Sequence, residues 1–292
     1  MTDPGNDSTT AAPVGRRARN RAARHEQLMS AASEIVSTEG LDGLTMQAVA
    51  DRVDCAVGTI YTYIDSKSSL LTALQIAAIE TLGTSFRRSR ALWDEDLAMA
   101  DLDEATVALV RLVAFGHLFT NAPTLHPREF ELLQVLLSTR RRETSDEDAQ
   151  KVLPYAVGLI NEFRLLIEAA VELGALRAER KDGTFDDHSL GRTVAWAGAL
   201  NGALLVSNVA TVPTEGDDSA GLLGDIFDGR TLALRVGHDL LAGWGAPAEP
   251  LAAAERFVQQ LRDAGRIAVS GAPEVGEDGT VDLTESSTVA EG

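Results

Sequence analysis

The chain has 292 residues, with 26 Lys or Arg against 44 Asp or Glu for a formal net charge of -18, and 45% of its residues are apolar. That length and apolar share suffice for one large domain or two modest ones around a packed core, and they exclude a collagen-like or wholly disordered chain. The single cysteine, Cys55, excludes an internal disulfide or a cysteine-built metal cage, and residues 1–24 hold no apolar run of the kind a secretory signal needs, so the expected location is the cytoplasm.

The charge is unevenly spread. Residues 1–90 hold ten basic and ten acidic side chains, so the rest of the chain carries the whole acidic excess. Within the neutral part, Arg16, Arg17, Arg19, Arg21 and Arg24 stand together with no acid among them. A basic front on an acidic body makes a field that steers a polyanion to one end of a molecule.

In chain order, Arg21 to Thr38 places Leu28, Ala31, Ala32 and Ile35 on one helical face, and Gly40 and Gly43 end that helix. Thr45 supplies the cap of a second helix, with Met46, Val49, Ala50 and Val53 as its apolar stripe. After a turn at Asp54 and Cys55, a third helix over Ala56–Tyr63 turns Val57, Ile60 and Ile64 inward. Asp65 and Ser66 then break the chain and cap a fourth helix, whose Leu70, Leu71 and Leu74 return to the core.

Short helices so arranged, with a turn of a few residues between the second and third, describe a helix-turn-helix. Such a unit needs a small residue where the second helix crosses the third, and Ala50 is one. Its tight turn needs a left-handed backbone, which Asp54 tolerates better than most residues. Gly58, Thr59, Tyr61 and Tyr63 give the third helix an outward face of short polar and aromatic groups that can reach base edges and phosphates.

Beyond residue 90 the pattern stays helical, which makes the expected fold all-α. Leu92 to Glu104 is acidic and reads as a linker or helix end, and Glu104 to Asn121 is apolar nearly all round, as a central buried helix is. Pro123 and Pro127 bracket a break, and further helices are expected over Pro127–Arg141 and Asp146–Leu176. A loop falls at Asp182-Gly183, and a last pair, Asp187–Val209 and Asp228–Trp244, is joined by a polar loop around Glu215 to Gly221. Pro250 to Ala264 reads as an amphipathic helix, and Ser270 to Gly292, with six acids and no base, as disordered.

Ala31-Ala32, Glu39-Gly40, Leu44-Thr45, Val49-Ala50, the run Gly58-Thr59-Ile60-Tyr61-Thr62-Tyr63, Ser66-Lys67 and Leu70-Leu71 together resemble the TetR family of transcriptional regulators, over about residues 25–75. Three positions depart from the family pattern: Asp54 where it has Gly, Ala56 where it has Ser or Thr, and Ile64 where it has Phe. Ala56 forgoes a cap typically worth about 1 kcal/mol. The resemblance implies a homodimeric repressor that binds a palindromic operator and is released by a small-molecule effector held in the helical body. The expected division is a disordered basic arm (1–20), a helix-turn-helix DNA-binding domain (21–75), a helical effector-binding and dimerisation domain (76–245) and a C-terminal extension (246–292) of a helix and a disordered acidic tail.

On this reading Arg16, Arg17, Arg19, Arg21, Thr45, Val57, Gly58, Thr59, Tyr61, Tyr63 and Lys67 contact duplex DNA, the ends of the helices and the arginines taking phosphates. Phe115, His117, Phe119, Asn121, Phe163 and Trp196 are the candidate lining of a pocket suited to a hydrophobic effector. The candidate dimer seam is the last helical pair, with Gly198, Gly202, Leu205, Leu234 and Leu241. The uncharged run from Thr193 to Thr214 is long enough to raise a membrane span, but Asn201, Ser207, Asn208 and Thr211 interrupt it, so no membrane partner is expected. His117, His126, His188 and His238 lack metal-ligand spacing, and neither a phosphate loop nor a nucleophile elbow occurs; no metal, cofactor or catalysis is expected. The alternative is a helical ligand-binding or protein-interaction dimer whose head no longer reads DNA.

Overall fold

The computed structural model describes residues 15–137, 145–178, 188–210 and 228–267. The expected loops at Asp182-Gly183 and Glu215–Gly221, the tail from Ser270 and the first fourteen residues lie outside them. All regular structure among the described residues is helical, so the all-α class holds.

Helix α1 (Arg16–Gly43) begins five residues before its expected start, with Gly15 at its N-cap. Arg16, Arg17 and Arg19, expected in an unstructured arm, instead occupy its first turns, because the Arg- and Ala-rich stretch that follows Gly15 is made of strong helix formers. The helix breaks at Gly40, where φ is 69°. A residue with a Cβ adopts that backbone only under strain.

Helix α2 (Met46–Arg52) is capped as expected, the Thr45 hydroxyl oxygen accepting from the Ala48 amide at 3.0 Å. Asp54 has φ 50° and is the one non-glycine residue with positive φ among those described, which confirms the left-handed turn read from the sequence. The Cys55 amide donates to the Ala50 carbonyl at 3.0 Å and closes that turn. Helix α3 is only Val57–Ile60, shorter than expected. Its continuation tightens, with Thr62 and Tyr63 amides bonding three residues back to Thr59 and Ile60, so the chain leaves the helix as a turn.

Helix α4 (Lys67–Ala98), capped by the Ser66 hydroxyl, runs for 32 residues, about 48 Å, and crosses the expected division near residue 75 without a loop. Its first turns place Leu70, Leu71 and Leu74 against Leu28, Ile35, Val49 and Ile60 in a head core that, among the described residues, holds no buried aromatic ring. Farther along, Phe86, Trp93 and Leu97 enter a second, larger core.

That second core surrounds α5 (Glu104–Leu125), whose N-cap is Asp103: its carboxylate accepts from the Thr106 amide at 2.9 Å and the Thr106 hydroxyl at 2.7 Å. The helix runs through Pro123, and the expected break falls at His126, after which α6 (Pro127–Leu137) starts. Helices α7 (Asp146–Glu172), α8 (His188–Ala210), α9 (Gly229–Gly243) and α10 (Ala248–Asp263) complete the body. Helix α5 is long and apolar enough to cross a membrane, but it packs against α4, α6, α7, α8, α9 and α10 as a core helix does.

Helix α10 buries Leu251, Ala254, Val258 and Leu261 in the body core. The Trp93 indole N–H donates to the Arg266 carbonyl at 2.9 Å, fastening α4 to the segment after α10. The helical part of the C-terminal extension is therefore integral to the body's packing.

Candidate nucleic-acid interface and body cavity

In the head, burial of Ile60 fixes which way α3 turns. Ile60 is fully buried, so Gly58, Thr59 and Tyr61 face solvent, with Tyr61 50% exposed and Val57 half-buried. Tyr63 is half-buried against the core. The guanidinium of Arg21 lies 5.4 Å from the centre of the Tyr63 ring and donates to the Thr62 carbonyl at 3.2 Å, which joins α1 to the end of the α3 turn. Arg16, Arg17 and Arg19 are exposed on the helix leading to Arg21. Lys67 opens α4, and Thr45 is exposed at the start of α2. No side chain caps α3 at Ala56. Behind this face Arg52 pairs with Glu34 at 3.2 Å and Glu39 at 2.9 Å, bracing α2 on α1.

In the body, a cavity of about 390 Å³ opens among α4, α5, α6, α7 and α8. Of the expected lining, Phe115, Phe119 and Phe163 border it. His117, Asn121 and Trp196 do not. Helical geometry is the reason for His117, which lies two residues from both Phe115 and Phe119 and so points to another side of α5. Burial there pushes its imidazole pKa down to about 4, and Arg262 and Arg230 add to the shift. Trp196 packs on Phe115 from behind, ring centres 5.2 Å apart, with its indole near Gly237.

Sequence reasoning missed most of the cavity wall, including Leu82, Leu133, Leu159 and the polar Ser85, His126 and Asn201. His126 Nε2 and the Ser85 hydroxyl are 3.2 Å apart, and Gln134 donates through its side chain to Asn201. The one available signal was that His126 stands alone between two helices, beside Pro127.

On α8, Leu190, Val194, Gly198, Gly202 and Leu205 recur every three or four residues and are exposed, Val194 by 56% and Leu205 by 45%. Leu234 is half-buried. Leu241 corrects the expected seam: at 1% exposure it is core of its own chain, because it lies on the side of α9 turned toward the body. Among the described residues no group of three His, Cys, Asp or Glu is placed to hold a metal ion.

The class so defined is a helix-turn-helix head carried on a larger all-helical body. Residues 28–74 match the model of the bacterial regulatory proteins, tetR family. The head is a TetR-family domain. Over 71 residues the chain is 39% identical to the HTH-type transcriptional repressor KstR of Mycobacterium tuberculosis, a match covering 24% of this chain and 29% of the relative. KstR of Mycolicibacterium smegmatis is 38% identical over 71 residues, 24% of this chain and 31% of that protein. The chain thus matches less than a third of the length of these curated relatives. A solved protein of unknown function from Rhodococcus sp. shares the fold with a TM-score of 0.54 at 13% identity, over 76% of this chain and 95% of that one. A putative TetR-family transcriptional regulator from Mesorhizobium loti does so with a TM-score of 0.50 at 11% identity, over 77% and 98%.

Proposed function

We propose that the protein is a DNA-binding transcriptional repressor that acts as a homodimer on a palindromic operator and is released by a small molecule bound in the body. The observation that carries the reading is the exposed face of Gly58, Thr59 and Tyr61, backed by the buried Ile60 and flanked by the α1 arginines. A recognition helix enters the major groove with such a face, while flanking groups hold phosphates. Thr59 and Tyr61 take base edges; Val57 and Gly58 lie against the groove; Arg16, Arg17, Arg19, Arg21, Thr45, Tyr63 and Lys67 take backbone. The matched repressors support the regulatory role.

One head of this size reads few base pairs, so two heads on half-sites are required for tight binding. The exposed stripe of α8, with Gly198 and Gly202 one turn apart, allows close approach of a second copy. Helix α6 offers the coupling between ligand and head. Phe130, Leu133 and Leu136 line the cavity, while Leu132 of the same helix is buried in the head core. A ligand that moves α6 therefore repacks both. Coupling of about 1–3 kcal/mol suffices for a five- to 150-fold loss of DNA affinity.

A gel shift on DNA upstream of the protein's own gene tests the proposal. Lys67→Ala should weaken binding about equally for all sequences, whereas Thr59→Ala and Tyr61→Ala should relax sequence preference. A protein-interaction dimer with a degenerate head would bind no fragment, and the three variants would match the parent.

A further inference from the structure

The body cavity, taken as the effector site of the proposed repressor, has a chemistry of its own. Among the described residues, no Lys, Arg, Asp or Glu lines it. A charged group carried into such a wall loses its hydration and meets no carboxylate, ammonium or guanidinium there, so the lining disfavours anions and cations alike. Rings and branched aliphatics from five helices form the surface, with Phe86, Phe115, Phe119, Phe130 and Phe163 presenting aromatic faces or edges.

Polar groups interrupt this wall at few places, and their remaining hydrogen-bonding capacity differs. The Thr193 hydroxyl donates to the Ser189 carbonyl at 2.6 Å, and the Asn201 carbonyl oxygen accepts from Gln134. Ser85 and His126 are engaged with each other, 3.2 Å apart. A hydroxyl has one proton and two lone pairs, so one bond to an imidazole leaves capacity over. Ser85 is 7% exposed and borders the cavity, so that capacity faces a bound molecule rather than bulk water. The pair ties α4, which carries Ser85, to the junction of α5 and α6, where His126 is the residue between the helices.

We infer that the cavity takes an uncharged, predominantly aromatic or alicyclic molecule carrying a hydroxyl or carbonyl oxygen, and that Ser85 with His126 holds that oxygen; the inference rests on the proposed effector role of this cavity. The apolar wall supplies most of the affinity and the pair fixes which end of the molecule enters. The oxygen then sits beside the first residue of α6, and the ring system lies along Phe115 and Phe163.

Three matched fluorescent probes test this on the full chain without DNA at neutral pH: 1-hydroxypyrene, pyrene and pyrene-1-sulfonate. Hydroxypyrene should bind one per chain, about five- to tenfold more tightly than pyrene, as one net hydrogen bond gives. The sulfonate should bind at least about 100-fold more weakly than hydroxypyrene, because its charge enters unpaired. In Ser85→Ala and in His126→Leu, with folding verified by circular dichroism, hydroxypyrene and pyrene should bind with converging affinities. Equal or tighter binding of the sulfonate, no binding by any of the three, or an undiminished hydroxypyrene preference in both variants would each overturn the inference. A gel shift with saturating hydroxypyrene separates the two levels. If the probe binds as described yet leaves protein–DNA complexes intact, effector release fails while the cavity's chemistry stands.

Discussion

Head and body are both helical, yet they are held together differently. The head core is packed from Leu, Ile, Val, Ala and Met on helices that follow one another closely in the chain, and its outer face keeps its small polar and aromatic groups in solvent. The body core is built on Phe86, Trp93, Phe115, Phe163 and Trp196, whose rings meet edge-on or tilted between distant helices and leave a cavity beside them. A dense aliphatic wedge presents a fixed surface. A core of large rings that do not fill their space leaves room for a ligand.

Emptying either core at its centre should separate the two most sharply. Trp93→Ala should cost about 3–5 kcal/mol, since it empties a fully buried site and leaves the Arg266 carbonyl without its donor. Ile60→Ala should cost about 2–4 kcal/mol in the head and abolish DNA binding, while pyrene probes still bind the body. Chemical denaturation and probe titration measure both. Loss of probe binding in Ile60→Ala would merge the two cores into one unit.

Next in size is the body's response to acid. His117 is held neutral, with a pKa near 4 against 6.5 when unfolded, and its Nδ1 is buried without a partner. The unfolded chain therefore takes up this proton first. Stability is complete above pH 6.5 and falls by about 2–3 kcal/mol as pH drops toward 4. Denaturant midpoints between pH 7 and 4.5 should show the fall, and His117→Phe should flatten it.

A smaller effect falls where the two regions meet. Asp148 of α7, 5% exposed, accepts from the Ser68 hydroxyl at 2.6 Å, from the Ser145 hydroxyl at 2.9 Å and from Lys151 at 2.9 Å. The Ser68 bond, then Lys151, hold its carboxyl down at about 2. Its contribution is present above pH 4 and is lost as pH falls through 2, amounting to about 1–2 kcal/mol after discounting for solvent. Asp148→Asn should remove most of that increment at neutral pH, read as a lower denaturation midpoint.

The same contrast explains what the sequence disclosed. The head's determinants are local: Thr45 caps the helix it precedes, Ala50 and Asp54 shape one turn, and Ile60 is buried a few residues on. Spacing within a short window was enough. The start of α1 at Arg16 is not legible in the same way, because a run of arginines looks the same in an exposed helix and in an unfolded arm. The cavity is made by residues from Ile79 to Asn201, and no window spans them. Aromatic residues on α5 could be chosen by type, but only packing tells that Phe115 and Phe119 face the cavity and His117 does not. Leu241 on α9 shows the same limit, since an amphipathic stripe does not say whether it meets its own chain or another.

If the head's basic face binds duplex DNA as proposed, that binding must weaken steeply with salt. Anisotropy titrations on labelled upstream DNA should show affinity falling by about 10³–10⁵ between 50 and 200 mM salt for a dimer with six to ten phosphate contacts. Replacing Arg16, Arg17 and Arg19 together with Ala should make the slope of log affinity against log salt shallower by about three per chain engaged. Binding that ignores salt, or a slope unchanged by the triple replacement, would contradict the account.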